Sequence, residues 1–334
     1  MSAALTTFGG RLVQPQHAQA LFGSSVGEVW DFGYRLPAER NADEDLADKQ
    51  ARQHMQPFGI TGSWNDDPEI VGLWECAKAA NGGKHFIAFW QQTGSCVGNG
   101  GGQAVWYTSA VEVVRLGDPE QVLLPFYLLP YGRSRFIGGI RGRGNGSFGS
   151  AFAKAIMTDG ILPANTAGLP PAIISENDGI TWGRNAELEW SDGARIDQKW
   201  LDQSRKYLIK SAAQCKTASD VWEAVSNYYA CTIASDWGGQ MRPAVVDGAL
   251  LNRRVTTWFH QMSIIGRWRH KTLGKLFYVL NSWGPNTHGK CPSGAPPGGF
   301  WITEKDMDYI AKQGETFAFS QFQGFPAQNF KWTT

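Results

Sequence analysis

What most constrains this 334-residue chain is the segregation of its two kinds of pattern. Helical periodicity fills the middle, in "SFGSAFAKAIMTDG", "DQKWLDQSRKYLIKSAA" and "KTASDVWEAVSNYY", whereas the last third runs as "ACTIAS", "HQMSIIGRW", "GKLFYVLNSW" and "GGFWIT". The last four are short, rich in β-branched and aromatic residues, and bounded by turn formers, as strands are. Strands that follow helices, without alternating with them, predict an α+β protein with two lobes and not a doubly wound sheet.

Upstream, residues 1 to about 80 read as loop-rich, with turn signals at "FGG", "FGSS", "NADED" and "SWNDD" and one helix around "DEDLADKQARQHM". "DPEIVGLWECAKAA" reads as a short amphipathic helix capped by Asp67 and closed by "NGG". From Cys96 to about Leu116, "CVGNGGGQAVWYTSAVEVVRL" reads as a helix with Val105, Ala110, Val111 and Val114 on its apolar face. Gly100, Gly101 and Gly102 weaken its start, because a helical glycine costs about 1 kcal/mol against alanine. That implies a close approach to the backbone there. The "SFGSAFAKAIMTDG" helix is expected to stop at Gly160.

Composition excludes several classes. With 31 basic and 30 acidic residues and no basic block, no nucleic-acid partner and no anionic membrane is expected. The N-terminus lacks a charged region followed by a sustained apolar one, and no stretch matches a membrane span, so neither secretion nor insertion is expected. Cys76, Cys96, Cys215, Cys231 and Cys291 are scattered and odd in number, which suits a reducing compartment better than a disulfide framework. The six histidines form no HxxxH or HExxH pair, so neither a metal nor a cofactor is called for. Gly144, Gly146 and Gly149 spell GxGxxG, but without a surrounding βαβ unit they read as a helix-entry loop. The sequon at Asn145 carries no weight without a secretory signal. Fifteen tryptophans read first as filler for a loop-rich core, and second as interface or groove residues.

Cysteine chemistry needs a thiolate, a base to shuttle the proton and a group that fixes the base. Cys96 stands at a helix N-terminus, where unpaired N–H groups favour a negative sulfur. His260 opens an apolar strand in "WFHQMSIIGRW" and Asn281 ends the next in "FYVLNSWG", so adjacent antiparallel strands bring them together. Taken singly, each has a bland reading: cysteine is among the most buried residue types, and a strand-end histidine is usually structural. His270, in a polar turn, and His288, in a Pro/Gly-rich insertion, are the rivals to His260. Asp236 in "SDWGG" reads as a solvated turn, with a pocket-lining role as the alternative.

"NSWG" followed by "GGFWI" is similar to the papain and cathepsin family. The Gln-then-Gly-Ser-Cys segment, the strand-opening histidine and "SFGSAFAKAIMTDGILP" agree with it in order, and the resemblance covers about residues 85 to 312. It implies that Cys96 is the nucleophile and His260 the general base and acid. It makes Asn281 the residue that orients His260, and Trp283 a shield over that pair. A glutamine ahead of the cysteine would hold the oxyanion with the Cys96 backbone N–H. Two departures stand out. Val97 replaces the family's aromatic residue, and the usual glutamine spacing lands on Trp90, leaving Gln91 as first choice and Gln92 as its competitor.

The implied fold is two-lobed and papain-like: a loop-rich N-terminal extension (1–80), then a papain-like domain (81–334). In it a helical lobe (about 81–190) carries the cysteine helix and an antiparallel β lobe (about 191–334) carries His and Asn. The implied function is a cysteine hydrolase that cleaves peptide or isopeptide bonds of a peptide or protein substrate through a Cys-His-Asn triad. The insertion after "NSWG" resembles divergent members encoded by bacteriophages and bacteria. The alternative is therefore a catalytically silent papain-fold structural protein, a bacteriophage virion component with other virion proteins as partners. A third reading is an amidase on peptidoglycan stem peptides. Position 96 for the nucleophile, behind Met1, reads as a chain without a cleaved propeptide, either cytoplasmic or assembled in a virion.

Overall fold

The computed structural model describes residues 29–53, 55–60, 68–117, 121–321 and 324–325. Eleven strands form one sheet: β1 (Val29–Asp31), β2 (Gln56–Pro57), β3 (Ile70–Gly72), β4 (Ser211–Gln214), β5 (Cys231–Gly238), β6 (Ala244–Val246), β7 (Ala249–Leu251), β8 (Thr256–His270), β9 (Gly274–Leu280), β10 (Gly299–Thr303) and β11 (Thr316–Ser320). Their order is β6-β7-β10-β9-β8-β5-β11-β4-β2, with β1 and β3 paired to β8 off this path. From β10 to β4 every pairing is antiparallel, as the alternating and apolar strand sequences require. The helices are α1 (Ala42–Arg52), α2 (Trp74–Ala80), α3 (Cys96–Leu116), α4 (Leu128–Ile137), α5 (Gly149–Thr158), α6 (Gly183–Trp190), α7 (Gln198–Ser204), α8 (Ala218–Ser226) and α9 (Glu304–Ala311). The α+β reading holds, with α3 to α7 preceding the antiparallel strands.

The glycines at the start of α3 have a steric cause. A Cβ on Gly98 would meet the Tyr131 Cβ at 2.6 Å, and one on Gly101 would meet the Phe152 ring at 2.1 Å. At Gly100 the obstacle is the carbonyl oxygen of Gln261 on β8, at 2.9 Å. The Gln261 side-chain amide donates to the Val97 carbonyl (3.1 Å), and Ser263 Oγ donates to the Gly100 carbonyl (2.7 Å). Small residues thus let the helix lie directly on β8, where its exposed backbone carbonyls become acceptors for the strand's side chains.

Three local expectations change. Ile70–Gly72 is a strand, paired with Gly266–Trp268, and the helix begins only at Trp74. A free edge of β8 offered Ile70 and Val71, both β-branched, a ladder that helical propensity could not match. Only Gln198–Ser204 of the long polar helical stretch is helix; Ser211–Gln214 forms β4 against β11. Asp236 lies on β5, where it accepts from Tyr309 Oη and Gln313 Nε2 (2.7 Å each), so it is neither a free turn nor pocket lining. The turn signals at "FGG", "FGSS" and "SWNDD" and the Asp67 cap lie outside the described residues.

The N-terminal segment is tied to the body by charge. Glu315, fully buried, takes Arg40 Nη2 at 2.8 Å, Arg52 Nη2, and the backbone N–H of Ser150 at 3.0 Å. Asp48 shares both arginines, at 3.1 Å from Arg40 and 2.8 Å from Arg52. A buried carboxylate with two guanidinium partners is held firmly, because removing one partner leaves an uncompensated charge.

Candidate active site

The segments that precede Cys96 and follow Asn281 are zipped together. Trp90 and Trp283 form an antiparallel bridge, with Gln91 N donating to Ser282 O and Gly284 N to Phe89 O (2.9 Å each). Gln103, in the third turn of α3, accepts from Phe89 N at 3.0 Å and reaches the Asn281 carbonyl at 3.4 Å. These links bring residues far apart in sequence to one end of α3.

His260 sits on β8 just past a register shift between Thr257 and His260, a bulge that sets the direction of the side chains after it. Its Nε2 lies 2.7 Å from Asn281 Oδ1, which also accepts from Ser282 N at 2.7 Å. Trp283 stacks on the imidazole, with centroids 4.9 Å apart and planes 20° apart. His260 and Asn281 are therefore joined, and Trp283 covers the pair. His260 Nδ1 is buried and bonds to no described residue, Cys96 included. Burial pushes the imidazole down to about 3, against a smaller rise from its Asn281 bond.

Cys96 is the first residue of α3 and is fully buried. Burial pushes its thiol well above the usual range, outweighing the backbone N–H groups of Gln261 and Val97 that favour the thiolate. In this state both the thiol and the imidazole are neutral.

Gln91, not Gln92, belongs to this cluster. Its carbonyl accepts from Ser282 Oγ (2.9 Å), and its Nε2 donates to the carbonyls of Thr93 (2.9 Å) and Phe32 (3.3 Å). Gln92 Nε2 reaches only the Trp90 carbonyl, at 3.4 Å.

Phe32 packs against the His260–Trp283 pair. Its ring lies 5.0 Å from His260 and 4.6 Å from Trp283 between centroids, and its N–H donates to the Phe259 carbonyl at 3.0 Å. β1 runs parallel to β8, pairing Val29–Asp31 with Thr257–Phe259. At Gly33, with φ +99°, a Cβ would stand 2.0 Å from the Gly94 carbonyl, so the chain passes over the residues before Cys96 at backbone contact. The GxGxxG loop supports it from the far side: Ser147 N donates to Gly33 O (3.0 Å) and Gly146 N to Gly94 O (2.9 Å).

Two residues here escaped the sequence reading. Glu187, fully buried on α6, accepts from Gln92 N (2.9 Å), Thr93 Oγ1 (2.6 Å), Ser95 Oγ (2.7 Å) and Tyr127 Oη (2.9 Å), fastening the loop before Cys96. Burial raises its carboxyl, and those donors lower it. Its one sequence signal is an acid amid apolar residues in "AELEW", too weak to single out. The other is His288, set aside above for lying in the insertion: its Nε2 is 2.9 Å from Asn281 Nδ2. His270 belongs elsewhere, at the end of β8, bonding the carbonyl of Asp247 in the β6–β7 turn at 2.9 Å.

The architecture is a papain-like α+β fold, with the cysteine on a helix, the histidine on a long strand and the asparagine just past the end of the antiparallel strand beside it. The chain is similar to xylellain, a cysteine protease from Xylella fastidiosa, over 89% of this chain and 98% of that one, at 16% identity and a TM-score of 0.53. Further similar structures are the Amb a 11 cysteine protease of ragweed pollen in its proform (14% identity, 84% and 75% coverage, TM-score 0.49) and procathepsin L 3 from Tenebrio molitor (13%, 91% and 86%, 0.49). No family model and no curated protein matches the sequence.

Proposed function

We propose that this chain is a cysteine hydrolase of peptide or isopeptide bonds, described here with its cleft closed. The observation that carries the reading is the buried His260–Asn281 pair under Trp283, which leaves a bare Nδ1 on the imidazole at the foot of the cysteine helix. With Nε2 occupied by Asn281 Oδ1, the opposite nitrogen is the one free to take a proton.

The chemistry follows from those positions. Once Phe32 leaves and water enters, the desolvation that holds both groups neutral is relieved, and the Cys96 proton passes to His260 Nδ1. The thiolate attacks the substrate carbonyl carbon, and the oxyanion takes hydrogen bonds from Gln91 Nε2 and the Cys96 N–H. His260 returns its proton to the leaving nitrogen, the amine departs, and water, deprotonated by His260, hydrolyses the thioester. Gln91 is suited to this because it already donates to a peptide carbonyl, that of Phe32.

The test is labelling of Cys96 by a peptidyl vinyl sulfone at neutral pH in a Phe32→Ala variant, read by mass spectrometry with Cys76 and Cys291 as internal controls. Selective labelling that His260→Ala abolishes is expected. A folded Phe32→Ala protein whose Cys96 reacts no faster than the control thiols would overturn the reading.

One observation favours a second reading, a silent papain-fold structural protein of the kind a virion would incorporate: Cys96 is fully buried and unbonded to His260. Among the described residues the exposed large apolar side chains are Leu46, Ile70, Ile173, Ile174, Tyr207 and Val245, and only Ile173 and Ile174 adjoin in sequence. A self-associating particle in sedimentation, with no thiol reactivity in any variant, would support this second reading.

A further inference from the structure

We propose that His288 is a positioning residue for the same site: it fixes the orientation of the Asn281 amide, and through it the tautomer of His260. This rests on the reading of His260 as the base. Four groups form one chain: Met241 O, His288, Asn281 and His260. His288 Nδ1 lies 2.9 Å from the Met241 carbonyl, which can only accept, so Nδ1 carries the proton. The other ring nitrogen, Nε2, is then an acceptor, and the group 2.9 Å away from it must be the Asn281 NH2. That turns Asn281 Oδ1 toward His260, where it can only accept, so His260 holds its proton on Nε2 and keeps a lone pair on Nδ1. The polarity of a backbone carbonyl is thereby transmitted through two side chains to the reactive edge of the base.

The insertion that supplies His288 holds it rigidly. The ring is buried, edge-on to Phe300 at 4.8 Å and tilted against Trp283 at 5.6 Å between centroids. Besides its bonds to the two rings, the Asn281 side chain accepts from Ser282 N at Oδ1, a bond closed between adjacent residues. Without His288 the Asn281 NH2 would be a buried donor with no acceptor, and the hold on the amide falls to the Ser282 N–H bond to its Oδ1. Outer partners that set a histidine tautomer are a known device at metal sites, where they orient the ligand ring; here the ring they orient is a general base.

The experiment reads ring nitrogens by NMR in the full chain with labelled histidine, so it does not depend on turnover. Wild type is expected to show His288 as the Nδ1–H and His260 as the Nε2–H tautomer. In His288→Leu the His260 signals shift to a mixture of tautomers, and His288→Gln, which restores an acceptor toward Asn281, returns the wild-type pattern. In the Phe32→Ala background, Cys96 labelling falls by roughly tenfold or more with His288→Leu and recovers with His288→Gln, as the loss of one positioning contact in a reacting site predicts. A His260 that stays wholly Nε2–H in His288→Leu overturns the proposal. So does the opposite tautomer of either ring in wild type, which needs no variant to fold. If tautomers behave as stated but Cys96 never labels, the hydrolase reading fails and the positioning role stands.

Discussion

Gln91 donates its side-chain amide to the carbonyl of Phe32 at 3.3 Å, so a peptide group of the chain's own N-terminal strand occupies the donor that the proposed hydrolase would offer a substrate oxyanion. The ring of the same residue covers His260 and Trp283. One residue thus blocks the polar and the apolar parts of the cleft together, and its removal separates closure from folding.

Phe32→Ala is expected to raise the labelling rate of Cys96. Loss of a buried phenylalanine ring costs about 3 kcal/mol, and every 1.4 kcal/mol that falls on the opening equilibrium is about tenfold in accessible cysteine. Thiol labelling against a urea midpoint for the same variant separates local opening from global loss of stability. A rate equal to wild type, with the midpoint lowered, would mean that the ring only packs.

Glu187→Ala should destabilise the protein and loosen the loop before Cys96. It strands Thr93 Oγ1, Ser95 Oγ, Tyr127 Oη and the Gln92 N–H in a buried site. Orphaned buried donors cost about 1 to 3 kcal/mol each and are not additive, so a total near 3 kcal/mol is expected. Hydrogen exchange at residues 92–95 should rise more than in α9; equal protection in both variants would contradict the fastening role.

Gly101→Ala in α3 tests the steric account of its glycines. Helical propensity alone predicts a gain of about 1 kcal/mol. The Phe152 ring, 2.1 Å from the new Cβ, predicts a net loss of about 1 to 3 kcal/mol by overpacking. A thermal midpoint above wild type would refute close packing at this turn.

Acid should weaken the closed protein through its buried rings. Burial holds His260 near 3 and His288 near 4, against an ordinary 6.5. As pH falls below about 6.5 the unfolded chain binds protons that the folded chain does not, so stability is lost with falling pH and is full above that value. Between about pH 7 and about pH 4.5 the loss is about 2 kcal/mol for each ring, at about 1.4 kcal/mol per tenfold change in proton affinity. Urea midpoints at the two pH values check this, and His288→Gln should lose less than wild type. An unchanged or higher midpoint in acid would show that the rings are not held neutral.

Much of this arrangement is legible in the residue order. Strand patterns survive because β5, β8, β9 and β10 are long or strongly apolar, and "NSWG" pins Asn281 and Trp283 to the end of one of them. His260 and Cys96 become candidates only beside that motif, one by its place on the neighbouring strand and the other by the turn that opens a helix. Ile70–Gly72 was misread because a free edge of β8 rewards extended backbone more than local propensity opposes it.

The chain's local patterns by themselves determined the α+β class and the antiparallel pairing of the long late strands, because periodicity is a property of neighbouring residues, while the likeness of "NSWG" to the papain family singled out Cys96, His260 and Asn281 as candidates. Tertiary structure alone decided that Gln91 and not Gln92 contacts Phe32 and Ser282, since that choice depends on a bridge between Trp90 and Trp283. It also decided that Glu187 holds the loop, that His288 reaches Asn281 and that the Phe32 ring packs on His260. Each of these is a hydrogen bond or ring contact set by the direction of a side chain in the folded core, and no local pattern encodes that direction.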